Sequence, residues 1–448
     1  MADDIRLNSD LAAAAAEAEA RYRAANPRSA QRQDDAARSM PGGNTRTVLW
    51  YSPFPLVWTK GEGARLTDLD GHRYTDFLGE YTAGLYGHSH PVIQAALKEA
   101  IEGGIVLGGP NRYEADLAAA LCARFPSIER VRFCNSGTEA NLLAISLART
   151  TTGRSHVMVF DGAYHGGLLM FGHGGSPLNV PFPYVIAPYN DSERTLALIE
   201  ANARELAAVV IEPMMGSAGG IPAGREFLAA LRQACTRHGI TLIFDEVMTS
   251  RLSPSGLQGA LGIIPDMTTL GKYLGGGASF GAFGGRADIL DRLDPRRPDA
   301  IAHAGTFNNN VMSMAAGLAG LTKVFTPEAA VALNARGDRL RDDLNALAKK
   351  RGLPLLATGI GSILGIHFSR QPVRSPADLE PADAAASAAE TNLRRLFHFD
   401  MLAQGQFLAR RGFVSLSLPL TDTDCSAFVA AADEFLAVRG PLLAAVPA

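Results

Sequence analysis

The feature that most constrains the fold is a repeated alternation of short apolar runs and helical segments between about residues 90 and 300. The runs 156–160, 208–211 and 241–244 have the length and composition of buried strands. Between the last two, residues 225–236 have apolar side chains at helical spacing. This alternation predicts an α/β protein with a mainly parallel sheet and helices on both faces.

The flanking regions follow other patterns. Residues 11–25 are rich in strong helix formers, and we expect an exposed helix that forms a solvated arm. Two alternating runs around Asp70 and Gly71 predict a β-hairpin. After about residue 310, long helical segments and a few strands predict a smaller α+β domain, with residues 370–392 as a loop leading into a helix.

We therefore expect three parts along the chain. An N-terminal segment, 1–75, contains the arm and the hairpin and packs with the C-terminal part. A large domain, 76–310, contains the alternating pattern, and a small C-terminal domain occupies 311–448.

Composition excludes several classes of protein. The net charge of −3 and the absence of a basic stripe argue against a nucleic-acid or membrane-surface binder. The four cysteines lie far apart without a CxxC pair, so neither a metal site nor a disulfide framework is indicated. The acidic first ten residues lack the pattern of a signal peptide, and we expect a cytoplasmic protein.

The turn at Ser136, Gly137 and Thr138 connects a predicted strand to a predicted helix. Free backbone amides and hydroxyls at a helix N-terminus favour an anion, and phosphate is a natural guest. The alternative is a simple helix cap, with Glu139 in the first turn. This motif alone does not decide between the two.

Asp245 and Glu246 follow an apolar strand, at the sheet edge where ligands of parallel sheets bind. A carboxylate there can keep a ring nitrogen protonated and so strengthen an aromatic ring as an electron sink. Capping of a nearby helix is the alternative for either residue. Taken alone, this pattern favours capping, and we leave Glu246 out of the catalytic set.

Lys272 lies between an apolar run and three glycines. A desolvated lysine has a lowered pKa and attacks an aldehyde as a free amine, whereas a lysine on a flexible surface loop does neither. Tyr164, in GAYHG, could stack on a flat ring, and Thr306, in GTFNNN, could donate a hydroxyl proton. Each has a structural alternative, and only the order and spacing of all these motifs are decisive.

Together these motifs resemble the class III aminotransferases of the fold-type I pyridoxal-phosphate superfamily. The resemblance covers about residues 40–440 and rests on PGGNTR, GHSHP, NSGTEAN, GAYHG, IEPMMG, FDEVMTSR, TTLGKYLGGG and GTFNNN. It implies the cofactor pyridoxal 5′-phosphate, a large domain that binds it, and a small domain formed by both chain ends.

The resemblance also implies roles for single residues. Lys272 corresponds to the Schiff-base lysine and Asp245 to the partner of the pyridine nitrogen. The phosphate ligands would be Ser136, Gly137 and Thr138, with Tyr164 and Val247 on the two faces of the ring. Thr306 corresponds to a phosphate ligand donated across a dimer interface, so a homodimer with shared active sites is implied.

Within the class, GGNTRTVLWYSPFP, EYTAGLYGHS, DEVMTSRLSPSGL and RRGFVSLSLPLTDTD resemble the β-amino-acid aminotransferases, which act on substrates such as β-phenylalanine. This resemblance implies a ping-pong transfer to a 2-oxo acid, 2-oxoglutarate or pyruvate. It also implies that Arg46 and Arg411 bind the substrate carboxylates, as a planar guanidinium does well. The adjacent Arg410 leaves open which arginine enters the pocket, and Arg112 and Tyr113 replace apolar residues expected in that group.

Three alternatives stay open. PGG, NSGTEA and GTFN also resemble glutamate-1-semialdehyde aminomutase, although RRGFVSL lacks the acidic residue of that isomerase. An ω-amine:pyruvate transaminase would have little need for the two arginines. A cofactor-binding protein without catalysis would not need both Lys272 and Asp245.

Overall fold

The computed structural model describes residues 10–172 and 174–444; the acidic start of the chain and the last four residues of the expected C-terminal domain lie outside this part. Its α-helices are α1 (Leu11–Ala25), α2 (Pro27–Ala37), α3 (Pro91–Glu102), α4 (Glu114–Arg124), α5 (Gly137–Thr152), α6 (Ser192–Asn202), α7 (Arg225–His238), α8 (Gly256–Leu261), α9 (Ala287–Leu290), α10 (Val311–Ala319), α11 (Pro327–Arg351), α12 (Ala384–Ala403) and α13 (Asp422–Ala444).

Its strands are β1 (Trp58–Glu62), β2 (Arg65–Asp68), β3 (Arg73–Asp76), β4 (Arg130–Cys134), β5 (His156–Phe160), β6 (Tyr184–Ala187), β7 (Leu206–Ile211), β8 (Met214–Met215), β9 (Ile221–Pro222), β10 (Thr241–Asp245), β11 (Met267–Gly271), β12 (Gly281–Gly285), β13 (Leu356–Ile360), β14 (Ile363–His367), β15 (Gln406–Phe407) and β16 (Phe413–Ser415).

The largest sheet has seven strands in the order β4-β12-β11-β10-β7-β5-β6. β12 runs antiparallel to both of its neighbours, and the pairs among β11, β10, β7, β5 and β6 are parallel. Every residue of β7 and β10 is buried, as expected for strands covered on both faces. The predicted mainly parallel sheet is therefore confirmed, and its strand ends lie along one edge.

Both ends of the chain contribute to one smaller sheet. Its order is β1-β2-β3-β15, and β15 comes from the C-terminal region. β2 and β3 form the predicted hairpin, and the side chain of Asp70 in its turn accepts hydrogen bonds from the first amides of α2. A three-stranded antiparallel sheet, β13-β14-β16, lies in the C-terminal region. We retain the boundaries 1–75, 76–310 and 311–448 as a proposal.

The prediction of a solvated arm for 11–25 is wrong. The helix exists, but Ala14, Ala15 and Ala18 are buried where α1 packs on α12. Tyr22 lies on the same face, with its ring centroid 4.8 Å from that of Phe399. Because residues 12–16 are all alanine, this part of the helix has no polar–apolar contrast to mark the buried face.

Among the described residues, no helix combines the length and the apolar composition that crossing a membrane requires.

Candidate active site

Asp245 ends β10 at the edge of the large sheet, and its carboxylate lies in a buried hydrogen-bond network. Oδ2 lies 2.8 Å from Asn141 Nδ2, which donates to it, and 2.8 Å from His165 Nδ1. Oδ1 accepts the amide proton of Val247 at 3.0 Å. Asn141 is itself oriented by Thr269, whose hydroxyl donates to its side-chain oxygen at 2.8 Å. The carboxylate is therefore fixed in place by side chains that are themselves held.

Lys272 follows β11 directly and adopts φ +55°, in the left-handed region. Its Nζ donates to the backbone carbonyl of Tyr81 at 2.6 Å. Removal of the amine from solvent lowers the pKa of Lys272 to about 8, with smaller opposing effects of nearby charges. The charges that raise the pKa are Asp245 and Glu80, and those that lower it are Arg411 and Arg46. The Lys272 amine is therefore hydrogen-bonded and shielded from solvent, unlike that of a surface lysine.

The start of α5 is a capped helix N-terminus that also has free backbone amides. Ser136 Oγ accepts the amide proton of Glu139 at 3.2 Å, which is the N-cap that the alternative reading predicted. Among the described residues, the amides of Gly137 and Thr138 donate to no acceptor. They remain available at the positive end of the helix dipole.

A glycine allows the loop after β5 to pass close to this helix start. Gly166 has φ +118°, and a Cβ atom there would lie 2.2 Å from Thr138 Oγ1. The next amide, that of Gly167, donates to the same oxygen at 3.2 Å. Val247 closes the other side, since a Cβ atom on Gly137 would lie 2.9 Å from Val247 Cγ1.

Tyr164 is held in this loop by Glu212, a residue that the sequence analysis did not single out. Glu212 Oε1 accepts the amide proton of Tyr164, and Oε2 that of Gly216, both at 3.0 Å. Burial raises the pKa of Glu212 to about 7; the electrostatic effect of His165 opposes this and that of Asp245 adds to it. In the motif IEPMMG, Glu212 directly follows an apolar strand, much as Asp245 ends another. This position was the available sequence signal for Glu212.

The two candidate arginines lie on the same side of the site. Arg411 places its guanidinium 5.0 Å from the ring centroid of Tyr81, and its buried Nε has no partner among the described residues. Arg46 is more exposed and lies 2.5 Å from a carboxylate oxygen of Glu80. Arg410 donates to the carbonyl of Ser52 at 3.0 Å and lines the cavity described below. Of the two adjacent arginines, the structure brings Arg411 towards Lys272.

A cavity of about 270 Å³ lies beside Tyr81 and Arg411. Its walls come from both ends of the chain and are largely apolar; they include Val48, Leu49, Trp50, Leu78, Phe407 and Leu408. The cavity has room for an aromatic side chain next to the Arg411 guanidinium.

The turn Gly79–Thr82 is a second element that the sequence did not reveal. Gly79, Glu80, Tyr81 and Thr82 have φ values of +52°, +47°, +52° and +81°. Left-handed backbone costs a residue with a side chain on the order of 1 kcal/mol, and successive left-handed residues are rare. This turn carries the carbonyl that contacts Lys272 and the carboxylate that contacts Arg46.

The remaining predicted residues lie elsewhere. Thr306 is exposed and makes no hydrogen bond with another described residue. Glu246 is buried, and its carboxylate accepts the amide protons of Leu257 and Gln258, so it serves as a cap for α8. Arg112 pairs with Glu99 on the surface.

Comparisons with known proteins identify the family of this chain. The family model for class-III aminotransferases matches residues 48–392. The β-phenylalanine transaminase of Variovorax paradoxus is 54% identical over 96% of this chain and 97% of its own length. A crystal structure of a β-phenylalanine aminotransferase from the same organism has a TM-score of 0.94 at 53% identity, covering 97% of this chain and 99% of that one. A transaminase solved with pyridoxal phosphate bound has a TM-score of 0.83 at 32% identity, covering 94% and 99%.

Proposed function

The chain belongs to the class-III aminotransferases, pyridoxal-phosphate-dependent enzymes of fold type I, and from that premise we propose its reaction. It transfers the amino group of a β-amino acid such as β-phenylalanine to a 2-oxo acid, 2-oxoglutarate or pyruvate. The observation that carries the proposal is the meeting of Lys272, Asp245, Arg411 and Arg46 in one electrostatic environment. The first two suit the cofactor, and the two arginines suit a carboxylate.

The residues present fit pyridoxal phosphate. Ser136, Gly137 and Thr138 would hold its phosphate, since two amides there lack acceptors among the described residues and the close approach at Gly166 leaves no space for a side chain. Tyr164 and Val247 would lie on its ring faces, and Asp245 would accept the proton of its ring nitrogen. When bound, the cofactor supplies an electron sink for the electron pair left on a substrate carbon that loses a proton.

Lys272 has two roles in this proposal. Its Nζ holds the cofactor between reactions, and once released it takes the proton from the substrate carbon that bears nitrogen. A lysine whose pKa is lowered to about 8 has about a tenth of its amine uncharged at pH 7, far more than an exposed lysine. The Tyr81 carbonyl at 2.6 Å gives the free amine a defined position.

Arg411 and Arg46 bind and orient the carboxylates. Arg411 is stacked on Tyr81 and has an unpaired, buried Nε, so a carboxylate would satisfy a donor that has no other partner among the described residues. Arg46 would exchange its contact with Glu80 for a substrate carboxylate. The aromatic group of a β-aryl substrate would occupy the apolar cavity beside Arg411.

We also propose a homodimer in which each chain completes the site of the other. Val106, Leu107 and Phe307 expose 78%, 54% and 58% of their surface. They lie in two loops joined by a hydrogen bond from Asn111 to the carbonyl of Asn309. A second copy would cover these loops and bring its Thr306 to the phosphate. The four unpaired cysteines agree with a cytoplasmic location, which we propose as well.

Mixing two impaired variants tests the shared site. If Thr306 acts across the interface, a hybrid dimer of Lys272→Ala and Thr306→Ala contains one site with both residues intact. Activity should then rise well above that of either parent after the subunits are exchanged. Activity equal to the mean of the parents would show that Thr306 acts within its own chain or not at all.

The reaction is tested by mixing the purified yellow enzyme with 3-amino-3-phenylpropanoate in the absence of an acceptor. Conversion of the cofactor to its amino form, followed by absorption, supports the β-amino-acid donor. An unchanged spectrum with this donor, together with conversion by simple amines, would favour an ω-amine transaminase. Formation of 5-aminolevulinate from glutamate 1-semialdehyde would favour the aminomutase. Lys272→Ala is the control and should show no multiple turnover.

A further inference from the structure

Arg251, in the stretch DEVMTSR, is completely buried and forms no ion pair with any described residue. Burial lowers its pKa to about 10, so the side chain keeps its charge at neutral pH. A buried cation is tolerated only when hydrogen bonds replace its hydration. Its donors reach four acceptors: Ser362 Oγ at 3.1 Å, Thr82 O at 3.3 Å, Ser415 Oγ at 3.2 Å, and Leu416 O.

These acceptors belong to three separate segments. Ser362 lies at the start of β14, Ser415 and Leu416 are at the end of β16, and Thr82 ends the left-handed turn Gly79–Thr82. The turn also packs on β16, since a Cβ atom on Gly79 would lie 3.1 Å from the carbonyl oxygen of Ser415. The guanidinium therefore joins the turn to the C-terminal sheet.

A left-handed turn of this length does not hold its own conformation, and its surroundings must maintain it. Three contacts of the candidate active site depend on that conformation. The Tyr81 carbonyl accepts from Lys272, the Tyr81 ring lies beneath Arg411, and the Glu80 carboxylate pairs with Arg46.

We propose that Arg251 is a positioning residue for the active site. Its guanidinium holds the turn Gly79–Thr82 against β16. The turn then directs the Tyr81 carbonyl at Lys272 and the Glu80 carboxylate at Arg46. The inference rests on the proposed function only for the identity of Lys272 as the cofactor lysine. The contacts themselves are independent of the reaction.

The test measures Lys272 in the cofactor-free protein. Acetylation by acetic anhydride, quantified by peptide mass spectrometry across pH, reports the fraction of Lys272 that is a free amine. Asp245 and Glu80 favour the charged amine, whereas Arg411 and Arg46 disfavour it. In Arg251→Met the released turn withdraws both the Tyr81 carbonyl and the Glu80 carboxylate. The release also exposes Lys272 to water, and because burial is the largest cause of its lowered pKa, this exposure should outweigh the loss of the two groups. The midpoint should therefore rise by about one pH unit.

Arg439→Met is the matched control. Arg439 is also buried, but it pairs with Asp400 and lies away from the site. It should lower the melting temperature comparably and leave the Lys272 midpoint unchanged. In the loaded enzyme, Arg251→Met should raise KM for the amino acid about tenfold, while Arg439→Met should not.

Arg251→Lys covers the case in which Arg251→Met does not fold. It keeps the cation but cannot bridge the turn and both strands at once, so the midpoint should rise by a smaller amount. The proposal is overturned if the folded Arg251 variants keep the midpoint of the Arg439 control. A protein without transaminase activity whose midpoint still shifts would refute the proposed function and leave the positioning role intact.

Discussion

Glu212→Gln should make the stability of the protein less sensitive to pH. In the folded protein, the Glu212 carboxyl is buried and its pKa is raised to about 7, compared with 4.5 for an ordinary glutamate. Between these values the folded state keeps a proton that the unfolded chain has released. The stability that the carboxyl contributes is therefore fully present below pH 4.5 and is lost as pH rises through about 7.

The size of this loss follows from the two pKa values. They differ by about 2.5 pH units, and at about 1.4 kcal/mol per unit the loss is about 3 kcal/mol. Glutamine does not ionise, so the variant lacks this pH-dependent loss of stability. It keeps an acceptor for only one of the two amides, those of Tyr164 and Gly216, which costs about 1–3 kcal/mol at every pH. The variant should therefore be the less stable protein at pH 4.5 and should overtake or match the wild type above pH 7.

Urea denaturation of the cofactor-free protein, at one protein concentration and at several pH values from 4.5 to 8, measures this difference. Glu102→Gln, an exposed carboxyl-to-amide change, is the control and should show no such trend. A stability difference between Glu212→Gln and wild type that stays constant across this range would refute the reasoning. It would mean that the two amides and His165 hold the carboxylate charged in spite of its burial.

Three further outcomes are expected. Arg411→Met should raise KM for the amino acid about tenfold to a hundredfold and Arg410→Met less than about threefold in steady-state kinetics. The reason is that Arg411 lies close enough to act on the charge of Lys272, whereas Arg410 donates to the carbonyl of Ser52. Equal effects would contradict this assignment. Gly166→Ala should raise the Kd of pyridoxal phosphate at least about tenfold in a fluorescence titration. The added Cβ atom would lie 2.2 Å from Thr138 Oγ1, and Gly166 has a φ of +118° that alanine rarely adopts. An unchanged Kd would show that the phosphate binds elsewhere. The rate of cofactor uptake by Lys272, followed by stopped-flow absorption, should rise with pH with a midpoint at about 8 as the amine loses its proton. A midpoint near 10.5 would show an exposed lysine.

The sequence by itself determined the elements that depend on local pattern. The strands β4, β5, β7 and β10 and the hairpin at Asp70 follow from apolar periodicity and turn chemistry, which neighbouring residues dictate. The same holds for the start of α5, where the cap residue and the first-turn carboxylate are adjacent in the chain. The order of motifs also identified the family, and with it the candidate lysine and aspartate.

Only the tertiary structure decided the features that depend on distant parts of the chain. Whether Arg410 or Arg411 enters the site depends on what surrounds each guanidinium, and Ser52 and Tyr81 lie more than 300 residues away in sequence. The buried face of α1 depends on α12, because a run of alanines does not mark which side is covered. The left-handed turn at residues 79–82 has only one glycine, so local preference argues against it, and long-range contacts such as that from Arg251 hold it. These contacts join segments that are distant in sequence, and local sequence patterns therefore do not predict them.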